Sequence, residues 1–208
     1  MTTSPHSTSE SFVDSAADLL DSLLYSVSHD LRFPLLTVSL SAQVLEHTLG
    51  DDISQSTTEA LNSLRAASVD LERMLSTLNA LSRATRRPID PTSLALNSIA
   101  PAAPASTADI AVFLDRATAT DLAKIVAASD NSLSIDPSAN RVILEWTIEG
   151  APDNPSPLIA LTGSLHNYAG GPIERLACVE IALNREGGSL ELHEGRVRVS
   201  LPLDGPTR

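Results

Sequence analysis

The stretch SVSHDLRFPLL, residues 26–36, decides how the first half of the chain is read. A charged His29–Asp30 pair and a proline, Pro34, interrupt a leucine-rich run that otherwise has helical spacing. Ser22, Ser26, His29, Phe33, Leu36 and Leu40 follow one another at steps of four, three, four, three and four, so on an α-helix they form one stripe. Val27 and Leu31 fall on the opposite side. His29 is therefore expected to point outward, with small serines before it and bulky apolar residues after it. Pro34 removes one backbone hydrogen bond a turn beyond the histidine and loosens the helix there. An outward imidazole is a poor core residue and a good nucleophile. Asp30 is placed to accept a hydrogen bond from it or to take its proton.

The periodicity extends in both directions. Phe12, Ala16, Leu19, Leu20, Leu23, Val27, Leu31, Val38 and Leu45 predict a helix over about 11–49. Gly50 serves as its C-cap, and Asp51–Asp52 open the first turn of the next helix. That helix is expected over about 53–85, with Leu61, Leu64, Ser68, Leu71, Leu75, Leu78 and Leu81 as its stripe and Arg83, Arg86 and Arg87 near its end. Two long helices joined by a short turn make an antiparallel hairpin. One hairpin cannot bury stripes this long, so a homodimeric four-helix bundle is expected.

Past residues 88–91 the period changes. A short helix over 91–99, a loop over 101–108, a strand over 109–114 and a helix over 118–129 are expected. Strands over 141–149 and 157–161 follow, then a helix over 171–186 ended by Gly187–Gly188, and a terminal hairpin around Glu194–Gly195. The fold class is α+β: residues 1–10 a disordered N-terminus, 11–87 the helical hairpin, and 88–208 an α/β sandwich with helices on one face of a mixed sheet.

Bulk properties narrow the function. The 208 residues carry a net charge of −12, which argues against nucleic acid or an anionic membrane as partner, since both need a cationic surplus. No apolar run reaches the roughly 20 residues of a membrane span, and the first residues lack a signal-peptide pattern. The single cysteine, Cys178, forms no internal disulfide and is expected in the core. A cytoplasmic location is expected. His6, His166 and His193 show no metal-ligand spacing, His47, five turns down the His29 stripe, is expected to be a solvated helix-end residue, and no metal or cofactor is expected.

Ser28-His29-Asp30-Leu31-Arg32, followed by Pro34-Leu35, resembles the H-box of two-component sensor histidine kinases, whose pattern is S-H-[ED]-L-R-[TN]-P-L. In that family the motif lies on a helical hairpin that pairs into a four-helix bundle and carries the phosphorylated histidine. The resemblance implies His29 as phosphoacceptor, Asp30 as orienting group or general base, and response-regulator receiver domains as partners. Ser26, Arg32, Phe33, Leu36 and Leu40 would form the docking surface, and the receiver would supply the Mg²⁺. Phe33 stands where the family has Thr or Asn to orient a hydrolytic water, so phosphatase activity by that route is not expected.

Residues 170–203 resemble the end of the same family's ATP-binding domain, with Gly187–Gly188 and the strands after it in place. In that register Ile173 and Arg175 replace the phosphate-loop glycines. The magnesium-holding asparagine would fall near Ala127, Ala128 or Ser129, where none stands. No D-x-G-x-G segment is present, and the segment between Glu149 and Gly171 is short for a nucleotide lid. The resemblance thus implies a histidine phosphotransferase with a degenerate kinase-like domain, working in a phosphorelay without ATP. The alternatives are a divergent cytosolic histidine kinase autophosphorylating at His29 and a non-catalytic dimeric scaffold that sequesters a response regulator.

Overall fold

The computed structural model describes residues 6–49, 54–128, 133–138, 140–149, 151–154 and 156–203. The chain divides into two compact units, residues 1–82 and 83–208.

Two helices dominate the first unit, α1 (His6–Leu49) and α2 (Gln55–Arg86). Helix α1 begins inside the segment expected to be disordered; residues 1–5 lie outside the described residues, as do Gly50, Asp51 and Asp52 with their expected capping roles. The observed cap of α2 is Ser54, whose Oγ accepts the Thr57 backbone N–H at 3.2 Å. Arg65 on α2 pairs with Glu46 on α1 at 3.0 Å. Ten residues earlier on α1, Leu36 shares a groove with Leu75, ten residues later on α2. The helices therefore run antiparallel. Their seam is built from small and apolar residues at heptad-like spacing: Ser28 and Ala42 on α1, Leu61, Ser68 and Leu75 on α2, all buried. A second apolar stripe is left over. Val27, Leu31, Val38 and Leu45 are 38–50 % exposed, and Leu64 and Leu71 on α2 are exposed as well.

The second unit contains β1 (Pro91–Ala95), β2 (Ala111–Asp115), α3 (Arg116–Ala127), β3 (Ser134–Ser138), β4 (Arg141–Thr147), α4 (Pro157–Gly163), α5 (Leu165–Tyr168), α6 (Pro172–Arg185), β5 (Ser189–His193) and β6 (Arg196–Pro202). Strands β1 and β2 form a ribbon, and the other four form a sheet in the order β3-β4-β6-β5. Alternation along β4 and β6 sends Val142, Leu144, Trp146, Val197, Val199 and Leu201 into the core. Leu122 of α3 and Leu176 and Leu183 of α6 are buried with them. The opposite face of the sheet carries the Arg198–Glu145 pair at 3.3 Å.

Three expectations are corrected. The sheet is antiparallel throughout rather than mixed, because β3–β4 and β5–β6 are local hairpins and β4 pairs antiparallel with β6. The expected helix over 91–99 is strand β1 followed by a 3-10 turn, Leu96–Ser98; pairing of Pro91 through Ala95 with β2 overrides local preference. The expected strand over 157–161 is helix α4. Ser156 caps it by accepting the Ile159 N–H at 3.2 Å, and Pro157 occupies its first turn. Buried Glu180 of α6 then accepts from Ser156 Oγ at 2.6 Å and Leu158 N–H at 2.8 Å.

A buried polar knot joins α3 and α6. Glu186, 3 % exposed, accepts the Asp115 N–H and the Thr118 hydroxyl, each at 2.5 Å. Arg87 donates to Thr118 Oγ1 and lies 3.6 Å from Asp115. Arg185 donates to the carbonyls of Ala84 and Arg87. Burial pushes the Glu186 carboxyl above its usual range, against the hydrogen bonds from Thr118 and Asp115. Burial also acts upward on Asp115, but backbone donors from Asp90, Thr118 and Ala117 and the Arg87 charge outweigh it and hold that carboxyl below its usual range.

Glu186→Gln leaves the Asp115 N–H and the Thr118 hydroxyl with one buried acceptor fewer and is expected to destabilise the second unit by about 1–3 kcal/mol in thermal melts. A group whose folded-state value is raised stabilises most below its unfolded value and loses that contribution as pH rises through the folded value. The gap between wild type and Glu186→Gln should therefore narrow as pH rises above the ordinary glutamate range. A gap that widens over that interval would refute the burial effect.

Candidate functional site

His29 lies in the middle of α1. Its side chain is 70 % exposed, and Nδ1 sits 3.3 Å from Asp30 Oδ1, a long hydrogen bond. Nε2 has no protein partner among the described residues. Asp30, also exposed, can accept from Nδ1 when that nitrogen carries the proton, which leaves the lone pair on Nε2. Pro34 lies inside the continuous helix. Lacking an N–H, it leaves the Asp30 carbonyl without its intrahelical donor, one residue from the imidazole.

The expected stripe is on the surface. Ser26 and Arg32 are exposed. Phe33 is 75 % exposed, Leu36 48 % and Leu40 50 %. Val44, a further turn along, is 63 % exposed and extends the stripe beyond the residues singled out from sequence. Beside it a groove of about 340 Å³ runs between the two helices, lined by Arg32, Leu36, Glu72 and Leu75. The two α2 residues are legible only once the antiparallel register pairs residue 36 with residue 75. Ser28, adjacent to His29 in sequence, is buried in the seam, and its Oγ lacks a hydrogen-bond partner.

In the second unit, Ile173 is buried and Arg175 exposed, both on α6 immediately after its N-cap Gly171. The chain is helical at this point, and Gly170 and Gly171 lie just before it. Helix α3 ends at Ala127, and Ser129 lies outside the described residues together with 130–132. An asparagine, Asn131, stands in that segment of the sequence. The stretch between β4 and α6 holds α4 and α5, with α4 tied to α6 through Glu180.

Cys178 is half-buried on α6 rather than in the core; burial, with lesser contributions from Glu174 and Asp121, raises its thiol to about 11, which makes it a poor nucleophile. His193, the last residue of β5, lies 3.3 Å from Asp153, both side chains exposed, and His47 is exposed in the last turn of α1. Among the described residues no group of three or more His, Cys, Asp or Glu side chains is placed to hold a metal ion. No described helix is long and apolar enough to cross a membrane.

No protein-family model matches the chain, and no curated protein matches it. Similar chains occur among solved structures. One is the Acinetobacter baumannii histidine kinase AdeS, 13 % identical at a TM-score of 0.46, the match covering 85 % of this chain and 98 % of that one. A second is full-length ShkA, solved in complex with AMPPNP, 17 % identical at a TM-score of 0.47, covering 90 % of this chain and 47 % of that one. A third is a bacterial phosphotransferase, 12 % identical at a TM-score of 0.30, covering 88 % of this chain and 96 % of that one.

Proposed function

We propose that this chain is a histidine phosphotransferase that moves a phosphoryl group between receiver-domain aspartates through His29. The observation that carries this function is the exposed imidazole with Nδ1 against Asp30 and Nε2 free to solvent. The Nε2 lone pair attacks the phosphorus of an aspartyl phosphate. The N–P bond forms as the P–O bond to the aspartate breaks, and the carboxylate leaves. The proton stays on Nδ1, where Asp30 stabilises the imidazolium character that develops. Attack by a second receiver's aspartate on the phosphohistidine reverses these bonds. The receiver brings the Mg²⁺, and the exposed Phe33, Leu36 and Leu40 give it an apolar surface beside the histidine.

Two features support a homodimer that works without ATP. The leftover stripe of Val27, Leu31, Val38, Leu45, Leu64 and Leu71 falls, by helical spacing, on the face of the hairpin away from His29. A second copy covering it would complete two seams of a four-helix bundle and leave both histidines outward. In the register of the resemblance, α6 carries the buried Ile173 and Arg175 at the positions of the phosphate-loop glycines. Calorimetric titration with Mg-ATP is expected to show no saturable binding in the micromolar range. Micromolar binding, together with label on His29 from ATP alone, would instead assign a histidine kinase.

A further inference from the structure

The first unit is short of positive charge. Residues 1–82 hold eleven aspartates and glutamates against three arginines, Arg32, Arg65 and Arg73, and no lysine. Two of the three are already paired, Arg65 with Glu46 at 3.0 Å and Arg73 with Asp70. Arg32 has no hydrogen bond or ion pair among the described residues. It borders the groove between the helices, and Glu72 borders the same groove without closing an ion pair on it. The free arginine is also the one beside the histidine. Residues three apart on a helix are neighbours, with Cβ atoms about 5–6 Å apart. A long side chain on a helix leans back over the turn before its own Cα. For Arg32 that turn carries His29 and the buried Ser28.

A phosphoryl group on Nε2 needs such a cation. It adds close to two negative charges beside the Asp30 carboxylate, in a unit whose charge is already strongly negative. We infer that Arg32 is a further catalytic residue, one that holds the phosphoryl oxygens while the group moves on and off His29. This rests on the phosphotransfer reading above. The guanidinium donates two parallel N–H bonds to non-bridging oxygens of the phosphoryl group. It forms no covalent bond and gives up no proton. Nε2 makes the N–P bond as the bond to the leaving group breaks, and Arg32 offsets the charge throughout.

Phosphoramidate is a donor without a protein surface, so it separates phosphoryl binding from receiver docking. Nε2 attacks its phosphorus and ammonia leaves. Full-length wild type, Arg32→Ala, Arg32→Lys and Arg65→Ala would be followed for acid-labile label, from phosphoramidate and from a phosphorylated receiver. Arg32→Ala, at an exposed position, is expected to keep its circular dichroism and to label at least about tenfold more slowly with both donors. Arg32→Lys, which keeps the charge, is expected to recover most of that loss. Arg65→Ala removes the same charge from the unit at a distance and should label at the wild-type rate. Wild-type labelling of Arg32→Ala by phosphoramidate, with slowing confined to the receiver, would make Arg32 a docking residue and overturn the inference while leaving phosphotransfer at His29 standing. Equal slowing in Arg65→Ala, or a wild type that takes label from a receiver and none from phosphoramidate, would overturn it as well. A wild type that takes label from neither donor would overturn the phosphotransfer reading itself.

Discussion

His29→Gln is expected to abolish phosphoryl acceptance from a phosphorylated receiver while leaving the helical content and the oligomeric state unchanged. Glutamine keeps a polar side chain on an exposed position of α1, so nothing in the packing changes. It has no nitrogen lone pair able to attack phosphorus. The loss is therefore complete, because no neighbouring group replaces the nucleophile: Asp30 is an oxygen acid held at Nδ1, and His47 lies five turns away at the end of the helix. Asp30→Ala is expected to slow transfer by about 10²–10⁴-fold without eliminating it, the range typical of a general acid–base contribution. His47→Gln should leave transfer unchanged. Acid-labile, base-stable phosphate persisting on His29→Gln would refute the site.

The second large effect concerns assembly. Leu31→Glu is expected to convert a dimer into monomers. Leu31 lies in the stripe left exposed by the hairpin, with Val27, Val38 and Leu45. In a bundle this position is buried in both copies, so each dimer would hold two unpaired carboxylates away from water. Uncompensated buried charges cost about 3–5 kcal/mol, which corresponds to a dissociation constant raised by at least about two orders of magnitude. The same substitution at Val44, on the His29 side, should leave assembly intact. Sedimentation velocity separates these cases. A monomeric wild type, or a Leu31→Glu protein that sediments as the wild-type dimer does, would rule the bundle out.

The helical hairpin was legible because its signals are local and repeated. Leu61, Ser68 and Leu75 mark a heptad seam that sequence spacing displays directly, and the His29 stripe follows from the same arithmetic. The pocket side of that stripe was not legible, since Glu72 and Leu75 reach it only through the register of two helices separated by a turn. In the second unit, β4, α6 and the hairpin at Glu194–Gly195 were found from alternation, a glycine stop and turn chemistry. Both turn residues have positive φ, 48° and 76°, as the tight turn requires.

Helix α4 reads as a strand from its short apolar run alone; the helix signal is its Ser156–Pro157 start. Strand β1 reads as a helix in sequence because its stability comes from a partner, β2, on the far side of a loop. Strand β3, over Ser134–Ser138, carries Asp136 and Pro137 and has the composition of a loop. Its place at the sheet edge, paired on one side only, tolerates the proline. The polar knot at Glu186 was invisible for a related reason: Arg87, Asp115, Thr118 and Glu186 are far apart in sequence and meet only in the folded unit.

Phosphotransfer at His29 without ATP is tested most directly by two labelling reactions on the full-length protein. In one, the protein is incubated with radiolabelled Mg-ATP alone. In the other, it is mixed with a panel of receiver domains carrying labelled aspartyl phosphate. The expected result is no label from ATP and acid-labile, base-stable label from at least one receiver, mapped to His29. Label from ATP alone, or no transfer from any receiver in the panel to a folded dimer, would contradict it.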